Sequence, residues 1–164
     1  MRRLTMATRL SGSPADLFPF FSDASNLGRI TPPELGFRIL EAPKSMGEGV
    51  LIDYRIGLWG IPLRWRTRIS TWNPPHSFSD EQLRGPYRTW HHTHDFRDDG
   101  EGGTIMTDTV LFRLPLEPLS LLFLPLIRLQ LNRIFQYRDK AMRIALGHPP
   151  SQRPPIVHFD TPAV

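Results

Sequence analysis

Apolar and polar residues alternate with a period of two through the middle of the chain, between residues 36 and 115. Glycine and proline residues interrupt this alternation at regular intervals. Because successive side chains of a strand point to opposite faces, the pattern predicts a series of about six β-strands. Their connections are too short for parallel crossovers, which favours an antiparallel meander. The predicted strands are GFRILEAP, GVLIDYRIGLW, PLRWRTRISTW, HSFSDEQL, YRTWHHTHDF and TIMTDTVLFRLP.

The region before this meander predicts one strand and two short helices. Residues 3 to 11 alternate loosely, as in a first strand. Ser13 and Pro14 then indicate the start of a helix, because serine caps the first turn and proline is favoured at the first helical position. We expect this helix to end near Asn26 and a second short helical piece to precede Pro32.

From Ile127 onward the period becomes that of an amphipathic helix, which we expect to end at Gly147. Pro125 should kink or break it. The apolar face contains Leu131, Ile134, Phe135, Ala141, Met142 and Ala145. The polar face contains Arg128, Asn132, Gln136, Asp139, Lys140 and Arg143. The proline-rich tail, residues 148–164, is predicted to be extended or disordered.

Together these elements predict an α+β fold with one ligand-binding domain, residues 1–147. A curved antiparallel sheet of about six to seven strands would wrap around the long C-terminal helix, with two short helices after the first strand. A sheet bent this far does not close completely on a helix. We therefore expect a cavity between the sheet and the helix.

Composition narrows the functional classes. The chain contains no cysteine, which excludes disulfides and thiolate chemistry. Its net charge of +4 is mild and spread along the chain, and no nucleic-acid-binding pattern accompanies it, so no nucleic-acid partner is expected. The N-terminus lacks the apolar core of a signal peptide, and prolines and charges interrupt the apolar run 114–131. We expect a cytoplasmic protein without a transmembrane segment.

Five segments carry a resemblance to a known family: LGRITPPELGFRI, GIPLRWRTRISTWNPP, FSDEQLRGPYRTWHHTHDF, GGTIMTDTVLFRLP and RIFQYR. In this order they resemble the SRPBCC superfamily of START-like, helix-grip proteins, over roughly residues 3 to 146. A bacterial branch near the polyketide cyclase/dehydrase-like members carries a similar DEQ, GP and W-H-x-H-x-F block. The resemblance implies the helix-grip fold, but this scaffold serves binding modules, lipid carriers and enzymes alike.

Strand alternation predicts which side chains line the cavity. In residues 87–96 the even positions carry two large aromatics, so we assign them to the inner face and place Tyr87 and His91 outside. For strand 76–83 the choice is open, and we prefer the face of Phe78, Asp80 and Gln82. The predicted ligand-binding residues are Tyr54, Trp65, Thr67, Gln82, Trp90, His92, His94, Phe96, Met106, Asp108 and Phe112.

His92 and His94 are the most informative pair in the chain. With Asp80 or Asp108, a pair of histidines two apart on a strand could hold a metal ion. However, H-x-H is a weak signal, and we favour hydrogen bonds between these rings and the acids. The sequence therefore predicts no metal and no cofactor. The same four residues are the candidates for acid–base catalysis.

Three functions remain open. We favour binding of a hydrophobic small molecule, lipid-like, polyketide-like or aromatic, by a monomer or homodimer. The alternative is a cyclase/dehydrase-type enzyme that uses the His92/His94–Asp pair as acid and base. A protein- or membrane-interaction module is the third function, using the outward Arg64, Arg66 and Arg68 and the apolar segment 119–127.

Overall fold

The structure, a computed structural model, describes residues 1–41, 43–151 and 153–160. The strands are β1 Arg2–Ser11, β2 Arg38–Glu41, β3 Leu51–Leu58, β4 Ile61–Asn73, β5 Ser77–Arg84, β6 Thr89–Asp98, β7 Gly103–Arg113 and β8 His158–Asp160. The helices are α1 Pro14–Phe21 and α2 Leu124–Ala145. Short 3-10 helices occupy Ala24–Gly28, Pro33–Leu35 and Leu119–Phe123.

One antiparallel sheet contains all of these strands, in the order β2-β3-β4-β5-β6-β7-β1-β8. Together with the long C-terminal helix it forms an α+β fold consistent with the helix-grip arrangement. Within the described ranges the sheet has eight strands, so the prediction of six to seven was wrong. The additional strand, β8, pairs with β1 and places Asp160 opposite Arg3. This strand was missed because three residues are too few to show alternation. Residues 161–164 of the predicted tail lie outside the described residues.

The first helix starts where the sequence predicted it. The Ser13 side chain accepts a hydrogen bond from the Asp16 backbone N–H, and the Asp16 side chain accepts one from the Ser13 N–H, which makes a complete capping box. The helix ends at Phe21, earlier than the expected Asn26. There Asp23 caps a separate 3-10 helix by accepting the N–H of Ser25 at 2.9 Å.

The long helix begins at Leu124, so Pro125 lies in its first turn. A proline there interrupts no helical hydrogen bond and needs no kink. Asp139, assigned to the polar face, is in fact buried, and it accepts a hydrogen bond from Arg143 Nε at 3.1 Å. Arg143 also donates to the carbonyl of Arg9 at 2.9 Å, so this ion pair ties α2 to β1.

Three clusters of buried side chains form the core. One lies at the α1 end of the sheet around Phe18 and Phe96, and one lies under α2 around Phe112 and Phe135. The third surrounds Ile69 on β4. Among the described residues, no helix is both long and apolar enough to cross a membrane.

Candidate ligand pocket

A pocket of about 180 Å³ lies between the inner face of the sheet and α2. Strands β3 to β6 form one wall, and the α2 residues Leu131, Ile134, Phe135 and Arg138 form the opposite wall. Residues from the chain between β1 and β2, such as Phe21 and Leu35, close one side. The lining is predominantly apolar, with a few polar groups, as is usual for small-molecule sites.

Aromatic rings dominate the middle of the sheet wall. Tyr54 on β3 stacks on Trp65 on β4, with ring centroids 5.8 Å apart and an interplanar angle of 16°. Trp65 in turn meets the edge of Trp90 on β6 at 5.6 Å. These residues are neighbours because the register pairs Tyr54 with Trp65 across β3 and β4. The arrangement gives the pocket a wall of packed aromatic rings.

The structure brings some of the sequence-predicted ligand residues into the pocket lining and leaves others outside it. Tyr54, Trp65, Thr67, Trp90, His92 and His94 line the pocket, as does Asp80. Gln82, Phe96, Met106, Asp108 and Phe112 do not.

The five residues outside the lining lie in different parts of the structure. Phe96 and Met106 are completely buried in the cluster around Phe18, and Phe112 lies in the cluster under α2. They face inward, but there the helices pack directly on the sheet. Gln82 instead binds the backbone of Tyr87 through both ends of its amide. Asp108 lies behind the histidines, 1% exposed.

Tyr87 and Arg138 are among the pocket residues that were missed from the sequence. Tyr87 was assigned to the outer face, but β6 begins only at Thr89, so strand alternation does not extend to it. Arg138 was not considered, although it follows Leu131 by seven residues and therefore lies on the apolar stripe of α2. A charged residue on the apolar stripe of a helix was the sequence signal that could have identified Arg138.

The three histidines of the WHHTH motif separate onto the two faces of β6. His92 and His94 are buried on the inner face, and both line the pocket. His91 points to the other face, where its Nε2 lies 3.4 Å from Ser70 Oγ. The rings of His92 and His94 are 4.0 Å apart, and Phe78 stacks on the ring of His94 at 4.2 Å.

Two carboxylates enclose the histidine pair. Asp108 Oδ1, on the sheet side, lies 2.9 Å from His92 Nε2 and forms a hydrogen bond with it. The same oxygen lies 2.7 Å from His94 Nδ1, but the geometry of this contact is not that of a hydrogen bond. Asp80 Oδ2, on the pocket side, lies 3.7 Å from both His92 Nδ1 and His94 Nε2. Each ring thus has one nitrogen toward Asp108 and the other toward Asp80.

Burial and mutual contact set the charges of this cluster. Burial, with a smaller contribution from His94, lowers the pKa of His92 to about 4, so this ring is neutral near pH 7. Burial also opposes the charge of His94, but Asp108 and Asp80 outweigh it and raise the pKa of His94.

Both carboxylates are ionised. Burial disfavours their charge, yet Arg138 and the two histidines hold the pKa of Asp108 well below its usual range. The histidines, followed by Arg138, likewise lower the pKa of Asp80 against the effect of burial. With Nε2 of neutral His92 donating to Asp108, the Nδ1 lone pair of this ring is directed toward Asp80 and the pocket.

Two further donors belong to pocket residues. Trp65 Nε1 and Arg138 Nε are buried and have no hydrogen-bond partner among the described residues. Both atoms can only donate a hydrogen bond. The pocket therefore combines aromatic walls with donors that match oxygen acceptors.

Comparison with known proteins gives information about the fold alone. No family model matches the chain, and no curated protein matches its sequence. A solved structure from Mycobacterium smegmatis is similar at 15% identity, covers 88% of this chain and 90% of its own, and has a TM-score of 0.67. One from Thermus thermophilus is similar at 15% identity, covers 87% and 98%, and has a TM-score of 0.65.

A START superfamily protein from Mycobacterium smegmatis is also similar, at 11% identity, with 90% of this chain and 98% of that chain covered and a TM-score of 0.66. At these identities the likeness concerns the fold alone. The resemblance found in the sequence is confirmed at the level of the fold: the chain has the START-like, SRPBCC-type fold.

Proposed function

We propose that the pocket binds a compact hydrophobic small molecule that carries an oxygen acceptor. The observation that supports this most strongly is the pairing of aromatic walls with buried donors. Tyr54, Trp65 and Trp90 offer flat apolar surface, while the buried Trp65 Nε1 and Arg138 Nε have no hydrogen-bond partner in the part of the chain that the structure describes. A buried donor without an acceptor costs about 1–3 kcal/mol, and a bound oxygen would recover that energy.

The pocket volume selects among aromatic, polyketide-like and lipid-like ligands. An apolar cavity of roughly 150 Å³ holds benzene, so about 180 Å³ suits a molecule of one or two rings. A long acyl chain would extend out of the pocket. We therefore favour an aromatic or small polyketide-like ligand over a complete lipid.

Isothermal titration with 2-naphthoate, a bicyclic carboxylate, tests this proposal. We expect saturable binding that weakens about tenfold in Trp65→Leu, since the variant loses both ring contact and the indole donor. The matched control is Trp59→Leu, because Trp59 is 60% exposed and lies outside the pocket lining.

Equal affinities for the two tryptophan variants would place the probe elsewhere, and absence of heat up to the solubility of naphthoate would contradict the proposal. Arg138→Gln and the exposed Lys140→Gln on the same helix form a second matched pair. We expect Arg138→Gln to weaken the binding of naphthoate more than the binding of the neutral probe naphthalene.

A second candidate, an acid–base enzyme, is supported by one contact. Asp108 lies 2.9 Å from His92 Nε2, and this directs the other ring nitrogen toward the pocket as a base for a proton next to a carbonyl. The test is hydrogen–deuterium exchange of 2-tetralone in D₂O, followed by proton NMR. Exchange no faster than in buffer, or equally fast in His92→Gln, would rule out this candidate.

A further inference from the structure

Three potential metal ligands converge at the sheet side of the pocket. Asp80, His92 and His94 each offer one ligand atom, and these three atoms all lie within 4.8 Å of one another. We propose that they form a binding site for a divalent transition-metal ion, with zinc as the reference ion. The inference goes beyond ligand binding and does not depend on it, because the metal would be held by the protein alone.

Two of the three distances between ligand atoms are close to those that a metal requires, and the two imidazole donors lie within 4.8 Å of each other. Asp80 Oδ2 is 3.7 Å from His92 Nδ1 and 3.7 Å from His94 Nε2. With ligand bonds near 2.0–2.1 Å, tetrahedral coordination separates ligand atoms by about 3.4 Å. A movement of a few tenths of an ångström therefore brings Asp80 into register with either ring. Two imidazoles and one carboxylate form a donor set that suits zinc and iron(II).

Asp108 supplies the outer shell of this site. Its Oδ1 contacts the nitrogen of each ring that faces away from Asp80, at 2.9 Å for His92 and 2.7 Å for His94. A carboxylate behind a histidine ligand fixes the ring orientation and leaves the opposite nitrogen as the metal donor. One buried aspartate performs this role for both rings, and its position also explains why an acid lies 1% exposed in an apolar core.

The local charge favours a cation. The ionisable groups that face the cluster are Asp80 from β5, His92 and His94 from β6, Asp108 from β7 and Arg138 from α2, with the neutral Tyr54 from β3 beside them. A metal ion would displace any proton on His94, and with both imidazoles neutral, two carboxylates and one guanidinium leave a net charge of −1. A divalent ion changes the net charge of the cluster to +1. The positive charge of Arg138 lowers the affinity for the metal ion and favours an additional anionic donor from the pocket.

Three protein ligands also leave a coordination position open, as in catalytic zinc sites. Asp80, His92 and His94 all line the pocket, so the open position would face its interior. The chemical class of molecule that could complete the coordination is an oxygen donor, such as a carboxylate or an enolate.

Isothermal titration of the chelator-treated, dialysed protein with zinc chloride tests the site. We expect one zinc ion per chain, with binding lost in His92→Gln, His94→Gln and Asp80→Asn. The matched control is His91→Gln, which removes the adjacent histidine of the same motif on the opposite face and should bind zinc normally. For Asp108→Asn we expect an affinity about 10–100-fold weaker, as is typical when an outer-shell partner is removed.

Loss of zinc in His91→Gln, or normal zinc binding in His92→Gln and His94→Gln, would identify surface histidines as an adventitious site and overturn the proposal. Cobalt(II) in the wild-type chain provides a measurement independent of variant folding. Intense visible absorption of four- or five-coordinate cobalt supports the site, and the weak spectrum of the hydrated ion contradicts it. Naphthoate binding without zinc binding would disprove the metal site alone, and the reverse would disprove the hydrophobic ligand alone.

Discussion

Asp108 is the residue on which the polar side of the pocket depends. It is fully buried on β7, opposite His94 in the strand register, and it contacts both histidines through one oxygen. Removing one partner of a buried charged contact leaves the others desolvated without compensation. The stability of the inner face of the sheet should therefore respond to this residue more than to any acid on the outer face.

We predict that Asp108→Ala lowers the free energy of unfolding by about 3–5 kcal/mol. Urea denaturation followed by circular dichroism measures the change. Asp95→Ala is the control, because Asp95 lies on the opposite face of β6, and its replacement should stay within about 0.5 kcal/mol of wild type. If the two variants have equal stability, the buried cluster does not contribute as described.

At this scale the sequence was informative wherever regular strands extend. Alternation separated His91 from His92 and His94, and the structure has this arrangement. Alternation failed at Tyr87, which precedes β6, because a loop follows no periodicity. Strand alternation gives no information on Arg138, because this residue lies on α2. Its place in the pocket depends on how the helix packs on the sheet.

At the scale of elements, Glu117 fastens the connection between β7 and α2 to the first strand. Its Oε1 accepts hydrogen bonds from Arg2 Nη1 at 2.6 Å and from the Leu114 backbone N–H at 3.0 Å. Although slight burial opposes the charged form, these contacts together with Arg113 lower the pKa of Glu117. The ionised carboxylate is therefore the form that stabilises this junction.

We predict that Glu117→Gln lowers stability near pH 7 by about 1 kcal/mol and that this difference disappears in acid. The sign follows from the lowered pKa: the contribution is complete above the ordinary pKa of about 4.3 and is lost as the pH falls through the folded-state value. Urea denaturation of the wild type and of Glu117→Gln from pH 7 to pH 3 measures the difference in stability. A gap that stays constant with pH would contradict the assignment.

Two surfaces singled out in the sequence, the outward arginines of β4 and the segment 119–123, lie outside the pocket lining. On β4, Arg66 pairs with Asp53 at 2.9 Å and Arg68 pairs with Glu81, so two arginines of the outward ladder have acidic neighbours on adjacent strands. In the 3-10 helix before α2, Leu119, Leu122 and Phe123 are 62–80% exposed. Sequence periodicity predicted most of these elements, but not β8, because pairing with β1 is a long-range property.

At the scale of the whole molecule, the pocket exists because helices pack on the sheet at both ends and leave free volume in between. At one end Phe18 of α1 and Met142 of α2 pack with Phe96, and at the other end Phe135 of α2 packs with Phe112. In the middle, Ile134 faces the strands across free volume. The sequence predicted this general arrangement, but the size of the gap depends on side-chain packing that no local pattern encodes.

We predict that Ile134→Trp fills the pocket and weakens 2-naphthoate binding about tenfold or more, because the added indole occupies the volume of the ligand. Ile144→Trp, at a position of the same helix that is 70% exposed, introduces the same side chain and should bind normally. Melting curves of both variants confirm that the fold is intact. Equal binding by the two tryptophan variants would show that the naphthoate site lies outside the pocket.

Isotope-filtered NMR of the labelled protein with unlabelled 2-naphthoate tests whether the ligand occupies the pocket, because it locates a bound molecule by its contacts. We predict intermolecular Overhauser effects from the naphthoate ring to Ile52, Ile134 and Trp90, which line the pocket from β3, α2 and β6. Overhauser effects confined to the exposed Leu119, Leu122 and Phe123, or to no residue of the pocket, would contradict it.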